Sequence, residues 1–261
     1  MIKIEYRVLG KTGLRISAVG FGGIPIQRVD EKGAMALVDS LIEHGVNFID
    51  TARLYTNSEE LLGKALEGRR DKFVLATKSM ARTAEAMRAE IDESLRNLRT
   101  DYIDLYQIHN IPEGQIDAAC ASGGLVEALL EAKAAGKIGH IGLTAHSTES
   151  FKRAIELDFV ETIMFPYNIV ERQGEELIAL CAEKNIGFIC MKPLAGGAIE
   201  DAEIAIRFIV SNPAVTVVIP GMADAAEIAQ NVSATSNTSP LNAEEQKKIA
   251  DIKESLGTNF C

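Results

Sequence analysis

The stretch GVNFIDTARLY, residues 45–55, sets a glycine, a short apolar run, an aspartate and a tyrosine within eleven positions. Residues 47–50, NFID, read as a buried strand, and a buried strand does not ordinarily end in a carboxylate, because burying a charge is costly unless it is paired. The glycine at 45 suits the left-handed turn that closes a preceding helix. A helix, a tight glycine turn and a short strand ending in an ionisable group form one recurring unit of a parallel α/β fold, with the polar group at the C-terminal strand end.

The same unit recurs on either side. Apolar, β-branched runs occur at 18–23 (AVGFGG), 73–78 (FVLATK), 102–109 (YIDLYQIH), 138–144 (IGHIGLT), 162–168 (TIMFPYN), 186–192 (IGFICMK) and 215–220 (VTVVIP). Consecutive apolar positions mark strands covered on both faces. Helical periods separate them. Met87, Ile91, Leu95 and Leu98 share one helix face behind Thr83, a residue type suited to the N-cap, and Leu125, Leu129 and Ala132 share another. Gly45, Gly136 and Gly187 stand where helices are expected to end. Strand and helix alternate about eight times at roughly thirty-residue intervals, the pattern of βαβ units closing into a (β/α)8 TIM barrel. No Pro- or Ser-rich linker divides residues 1–261, so one barrel domain is expected, with a leading β-hairpin turning at GKTG (10–13) and a final helix at 242–256. An open dinucleotide-binding sheet is the rival fold. VGFGG supplies Gly20 and Gly22 of a G-x-G-x-x-G fingerprint, but Pro25 stands at the third glycine.

The chain is 47% hydrophobic over 261 residues, enough for a large core. It contains no apolar run of about eighteen residues, and its N-terminus lacks an apolar signal-peptide core, so neither a membrane span nor export is expected. A net charge of −10 with scattered Lys and Arg argues against a nucleic-acid partner. The cysteines at 120, 181, 190 and 261 form no CxxC pair, and Cys181 and Cys190 sit in apolar surroundings. That favours a reducing, cytoplasmic setting. The four histidines, His44, His109, His140 and His146, show no paired metal-ligand spacing, so no metal site is expected. Nothing in the sequence assigns an oligomeric state.

Reading the strand ends in order gives Asp50, Lys78 and His109, with Tyr55 in the loop after Asp50. A phenol has a pKa of about 10, and a neighbouring ammonium lowers it. Lys78 can supply that charge, Asp50 can pair with Lys78, and His109 can hold a substrate oxygen. The set reads as a tuned proton donor facing a carbonyl. No side chain supplies a hydride, so a nicotinamide cofactor is implied.

GVNFIDTARLY, VLATK (74–78) and DLYQIHN (104–110) resemble the aldo-keto reductases, over essentially the whole chain. The resemblance implies an Asp50, Tyr55, Lys78, His109 tetrad with Tyr55 as general acid, and reduction of an aldehyde or ketone by NADPH. It also implies cofactor contacts at Gly22; at Thr144 and His146 in GLTAHS (142–147); at Met164 and Met191; at Lys192, Pro193 and Leu194 in MKPLAGG (191–197); and at Gly221, Met222, Glu227, Gln230 and Asn231 in IPGMADAAEIAQN (219–231). This chain departs from the family pattern at several of these positions, Met191 among them, where many members stack an aromatic. Ala145 stands where Asn is common, Met164 for Gln, Gly221 for Lys and Glu227 for Arg. The last two remove cations that a 2′-phosphate wants, which weakens NADPH and admits NADH. The loop 110–124 is expected to act as a lid. GTNFC (257–261) resembles the start of a cysteine-rich extension that carries an iron–sulfur cluster in one branch of the family; a cluster needs four thiolates, so it is expected only with an extension beyond Cys261, the alternative being that Cys261 is an ordinary exposed terminus.

Two other functions compete on residues alone. One is a Schiff-base lyase using Lys78 or Lys192, which requires an unpaired, desolvated lysine. The other is a non-catalytic nicotinamide-binding redox sensor subunit on the same barrel.

Overall fold

The computed structural model describes residues 4–237 and 239–257. Cys261, and with it the cluster expectation, lies outside the described residues. The chain opens with an antiparallel hairpin of β1 (Tyr6–Val8) and β2 (Arg15–Ser17). Eight further strands follow: β3 (Phe21–Gly22), β4 (Phe48–Asp50), β5 (Val74–Ser79), β6 (Ile103–Ile108), β7 (Ile138–Thr144), β8 (Thr162–Pro166), β9 (Gly187–Met191) and β10 (Val217–Val218). They pair in sequence order, all parallel. Parallel bridges Val19–Val218 and Gly22–Gly221 join the first of these strands to the last and close the ring. The eight-stranded barrel expected from the sequence is therefore present.

The intervening helices are α1 (Glu31–Glu43), α2 (Ser58–Ala65), α3 (Ala84–Asn97), α4 (Glu113–Cys120), α5 (Leu125–Ala134), α6 (Thr148–Ile155), α7 (Glu175–Glu183), α8 (Ala202–Val210), α9 (Ala225–Thr235) and α10 (Ala243–Leu256). Thr83 caps α3 by accepting the Ala86 N–H, as its position predicts. Met87, Ile91 and Leu98 are buried on the α3 face that packs inward. α10 begins with a reciprocal cap between Asn242 and Glu245. The expected lid loop is partly helical, since it contains α4.

Side chains alternate across each strand. Phe48, Ala76, Leu105, Met164, Ile189 and Val217 pack in one cluster with Leu9 and Ile16 of the hairpin, which plug the bottom of the barrel. Strand alternation then puts Asp50 with Phe48, Lys78 with Ala76, and Gln107 with Leu105 on the interior side, one layer nearer the top. β3 and β10 are shorter than their apolar runs. Gly22 N–H donates to the Pro220 carbonyl at 2.9 Å, and Pro220 has no N–H with which to continue a ladder.

One glycine differs from expectation. Gly45 (φ 76°) and Gly136 (φ 72°) do adopt the left-handed conformation after α1 and α5, but Gly187 does not. After α7 that conformation is taken by Asn185 (φ 55°), and Gly187 is the first residue of β9. Its small size serves the plug instead: a Cβ there would lie 2.6 Å from Leu9 Cδ1. Asn tolerates the left-handed region, so the turn did not require the glycine.

Leu9 is fully buried. Leu9→Ala is expected to cost about 2–5 kcal/mol of unfolding free energy through the cavity it leaves. A shift of the urea midpoint at constant m-value measures this; a loss below about 0.5 kcal/mol, the range of ordinary surface substitutions, contradicts the plug role.

Candidate active site

Asp50 and Lys78 meet inside the top of the barrel. Lys78 Nζ donates to Asp50 Oδ2 at 2.5 Å and to the Thr51 carbonyl at 2.9 Å. Both side chains are 3% exposed. Gln107 Nε2 donates to Asp50 Oδ1 at 3.0 Å, so each carboxylate oxygen has a donor. Burial alone would push the Lys78 pKa down, but attraction to Asp50 and then Tyr55 more than offsets it and holds the ammonium above the ordinary lysine value. A lysine so paired stays protonated and is a poor Schiff-base nucleophile.

Tyr55 reaches this pair from the β4–α2 loop. Lys78 Nζ lies 4.8 Å from the centroid of its ring. The His109 ring stands edge-on to the Tyr55 ring, with centroids 6.3 Å apart. Burial raises the phenol above its ordinary pKa, Lys78 lowers it, and Asp50 raises it again, with a net rise. The phenol therefore keeps its proton at neutral pH, and Lys78 limits the rise rather than reversing it. Burial, with Lys78, His146 and Arg82 nearby, depresses His109 to about 3. His109 is thus a neutral imidazole, and its buried Nδ1 has no hydrogen-bond partner among the described residues. Arg82 holds the loop from behind, donating to the carbonyls of His109 (2.8 Å) and Asn110 (3.0 Å).

All four residues line one cavity of about 520 Å³ at the strand C-termini. The same cavity takes in Gly22, Thr144, His146, Met164 and Met191. The β9–α8 loop adds Lys192, Pro193 and Leu194, and the loop after β10 adds Gly221. Met222, Glu227, Gln230 and Asn231 lie outside its lining: Met222 is fully buried and the others are on α9. Thr144 Oγ1 accepts the Asn110 N–H at 2.7 Å, which ties the His109 loop to β7 and leaves the hydroxyl proton free to donate elsewhere. Gly22 permits close backbone packing at one wall, since a Cβ there would lie 2.8 Å from the Pro220 carbonyl oxygen.

Several contributors were not singled out in the sequence. Gln107 is one, although it sits two residues before His109 and so on the same face of β6. Ile24, Pro25, Ile219 and the Gly196–Gly197 pair also line the cavity. For all but Ile219, which lies within a predicted strand, the signal was turn chemistry after predicted strands, in GGIP and AGG.

The residues suit a nicotinamide cofactor: the cavity is large enough for a nicotinamide riboside, glycines form part of its wall, and apolar side chains such as Met164, Met191 and Leu194 line it beside the polar strand ends.

The Aldo/keto reductase family profile matches residues 18–204. L-galactose dehydrogenase of Arabidopsis thaliana is 29% identical, over 98% of this chain and 95% of that protein. Aldo-keto reductase YhdN of Bacillus subtilis is 33% identical, over 76% of this chain and 66% of its own length. Among solved structures, the holo form of an aldo-keto reductase from Bacillus halodurans superimposes with a TM-score of 0.84 at 28% identity, covering 96% of each chain. On its barrel, on the strand-end site and on the profile match across most of its length, the chain belongs to the aldo/keto reductase family of NAD(P)H-dependent oxidoreductases.

Proposed function

We propose that this enzyme reduces an aldehyde or ketone to an alcohol, with Tyr55 donating the proton to the carbonyl oxygen. The observation that carries the reading is the buried Lys78–Asp50 pair beneath the Tyr55 ring, open to a cavity that His109 also faces. Bound NAD(P)H supplies the hydride to the carbonyl carbon.

The chain's own residues do the rest. A neutral His109 can donate an N–H to the carbonyl oxygen and orient it toward Tyr55, and because its pKa is near 3 this role does not change across neutral pH. As negative charge develops on that oxygen, Tyr55 gives up its proton. The Lys78 ammonium stabilises the phenolate that forms, which is where electrostatic help is most valuable in a site shielded from water. Asp50 keeps the lysine charged, and Gln107 keeps Asp50 oriented. Thr144, Met191 and the Lys192–Leu194 loop form the cavity wall that suits the nicotinamide end, with Met191 offering a soft, adaptable surface for its ring. The buried free thiols Cys181 and Cys190 suit a reducing compartment such as the cytoplasm. The substrate is a small molecule, and the unit that acts on it is the barrel as a whole.

NADH is the better fit of the two cofactors. The segment 221–231 contains no Lys or Arg. At the start of α9, Asp224 Oδ1 accepts the Glu227 N–H at 2.9 Å, and Glu227 Oε2 accepts the Ala223 N–H at 2.6 Å. One amide of the first helical turn and one just before the cap thus already donate to carboxylates, and those two carboxylates repel a 2′-phosphate and can accept from a ribose hydroxyl.

Two outcomes are expected. With a panel of aldehydes and ketones followed by NAD(P)H absorbance, Tyr55→Phe should lower kcat by about 10²–10⁴-fold while nicotinamide binding is retained; a Tyr55→Phe enzyme of undiminished rate would remove the proton-donor role. Fluorescence titration should show NADH binding at least as tightly as NADPH, and Glu227→Arg should move the ratio toward NADPH by about tenfold, or about 1.4 kcal/mol. A strong NADPH preference in the unaltered chain contradicts the cofactor reading.

A further inference from the structure

A second buried carboxylate lies behind the tetrad. Glu59, the second residue of α2, has a side chain only 2% exposed. Its Oε1 accepts from Thr77 Oγ1 and from Ser94 Oγ, each at 2.8 Å. Its Oε2 accepts from an Arg53 guanidinium nitrogen at 2.6 Å and from Asn97 Nδ2 at 3.4 Å. The donors come from three segments: β5, α3 and the β4–α2 loop. The Arg53 guanidinium also reaches Glu93 at 2.5 Å, and its backbone N–H donates to the Lys78 carbonyl at 3.0 Å. Neither Glu59 nor Arg53 lines the cavity, so neither is placed to touch a ligand there.

The position of this knot relates it to the chemistry. Thr77 immediately precedes Lys78 and points to the opposite face of β5, so Glu59 grips the strand from outside where Lys78 projects inward. Arg53 lies two residues before Tyr55 in the same loop. A buried carboxylate is costly unless its hydrogen-bonding capacity is filled, and here both oxygens are. We propose that Glu59 is a positioning residue for carbonyl reduction: through Arg53 and Thr77 it fixes the loop that presents Tyr55 to the strand that presents Lys78. The inference rests on Tyr55 being the proton donor. Without the carboxylate, the Arg53 side chain retains only Glu93 of α3, 45% exposed, as its ion-pair partner, and the buried link from the loop through Glu59 to Thr77 of β5 is lost, leaving the backbone bond to the Lys78 carbonyl.

The test compares Glu59→Gln and Arg53→Gln, each in the unaltered enzyme and in the Tyr55→Phe background. Each substitution alone should lower kcat by about 10–100-fold, the scale of a small misplacement of a catalytic group, with the dissociation constant for NADH unchanged. In the Tyr55→Phe background neither should lower the residual rate further, because the group being positioned is gone. The inference is overturned if either folded variant keeps kcat within about twofold of the unaltered enzyme, or if the fractional loss is the same in both backgrounds, the mark of a general structural effect. Arg53 is half-buried, so Arg53→Gln keeps the test decisive should Glu59→Gln not fold. Full activity in Tyr55→Phe alone would instead remove the proton-donor reading, and is distinguished from these outcomes by the single variant.

Discussion

The structure of the site depends on one interaction, the ion pair between Lys78 and Asp50 within the barrel. Each charge would be prohibitively costly there without the other. Together, with Gln107 and the Thr51 carbonyl completing their hydrogen bonds, they place a fixed positive charge at the floor of the cavity. The pair accounts for three features of the surroundings. It keeps the lysine protonated and so unsuited to imine chemistry. It contributes to holding His109 neutral. It opposes the effect of burial on Tyr55 and favours the phenolate that proton donation creates.

The fold supplies this pair with little room for variation. Lys78 and Asp50 occupy neighbouring parallel strands, and alternation directs both inward just above the packed layer of Phe48, Ala76 and Leu105. The hairpin plug of Leu9 and Ile16 fills the opposite end, so the barrel interior is apolar below and ionic above. Tyr55 is carried by a loop rather than a strand, and loops need external restraint to hold a side chain to the tolerance catalysis demands. The contacts of Arg53, Glu59, Thr51 and Ser58 provide it, with the Thr51 and Ser58 hydroxyls 2.8 Å apart and Ser58 Oγ donating to the Gly23 carbonyl.

Much of this was legible in the sequence, because the strands are continuous apolar runs and the polar residues that end them stand out against that background. Asp50, Lys78 and His109 could be placed at one end of a barrel once eight units had been counted. Interior partners were harder to see. Gln107 and Glu59 carry ordinary polar side chains within amphipathic contexts, and only the closed structure shows that both are buried against charge. Gly187 was assigned to a helix end because glycines commonly stand there, whereas Leu9, more than 170 positions earlier, is what its size accommodates. Distant packing partners leave no local trace. The direction of the phenol's net shift was equally hidden: adjacency to lysine was readable, but the opposing effect of burial requires knowing how deeply the ring sits.

The central claim is that the ammonium of Lys78 acts directly on the phenol of Tyr55. The most direct measurement is an NMR titration of ¹³C-labelled tyrosine in the unaltered protein and in Lys78→Met. Loss of the lysine removes the group that lowers the phenol, and Asp50, now buried without a cation and with only Gln107 donating to it, takes up a proton. The Tyr55 resonance is then expected to titrate at higher pH in Lys78→Met than in the unaltered protein. An unchanged or lower midpoint would contradict the account.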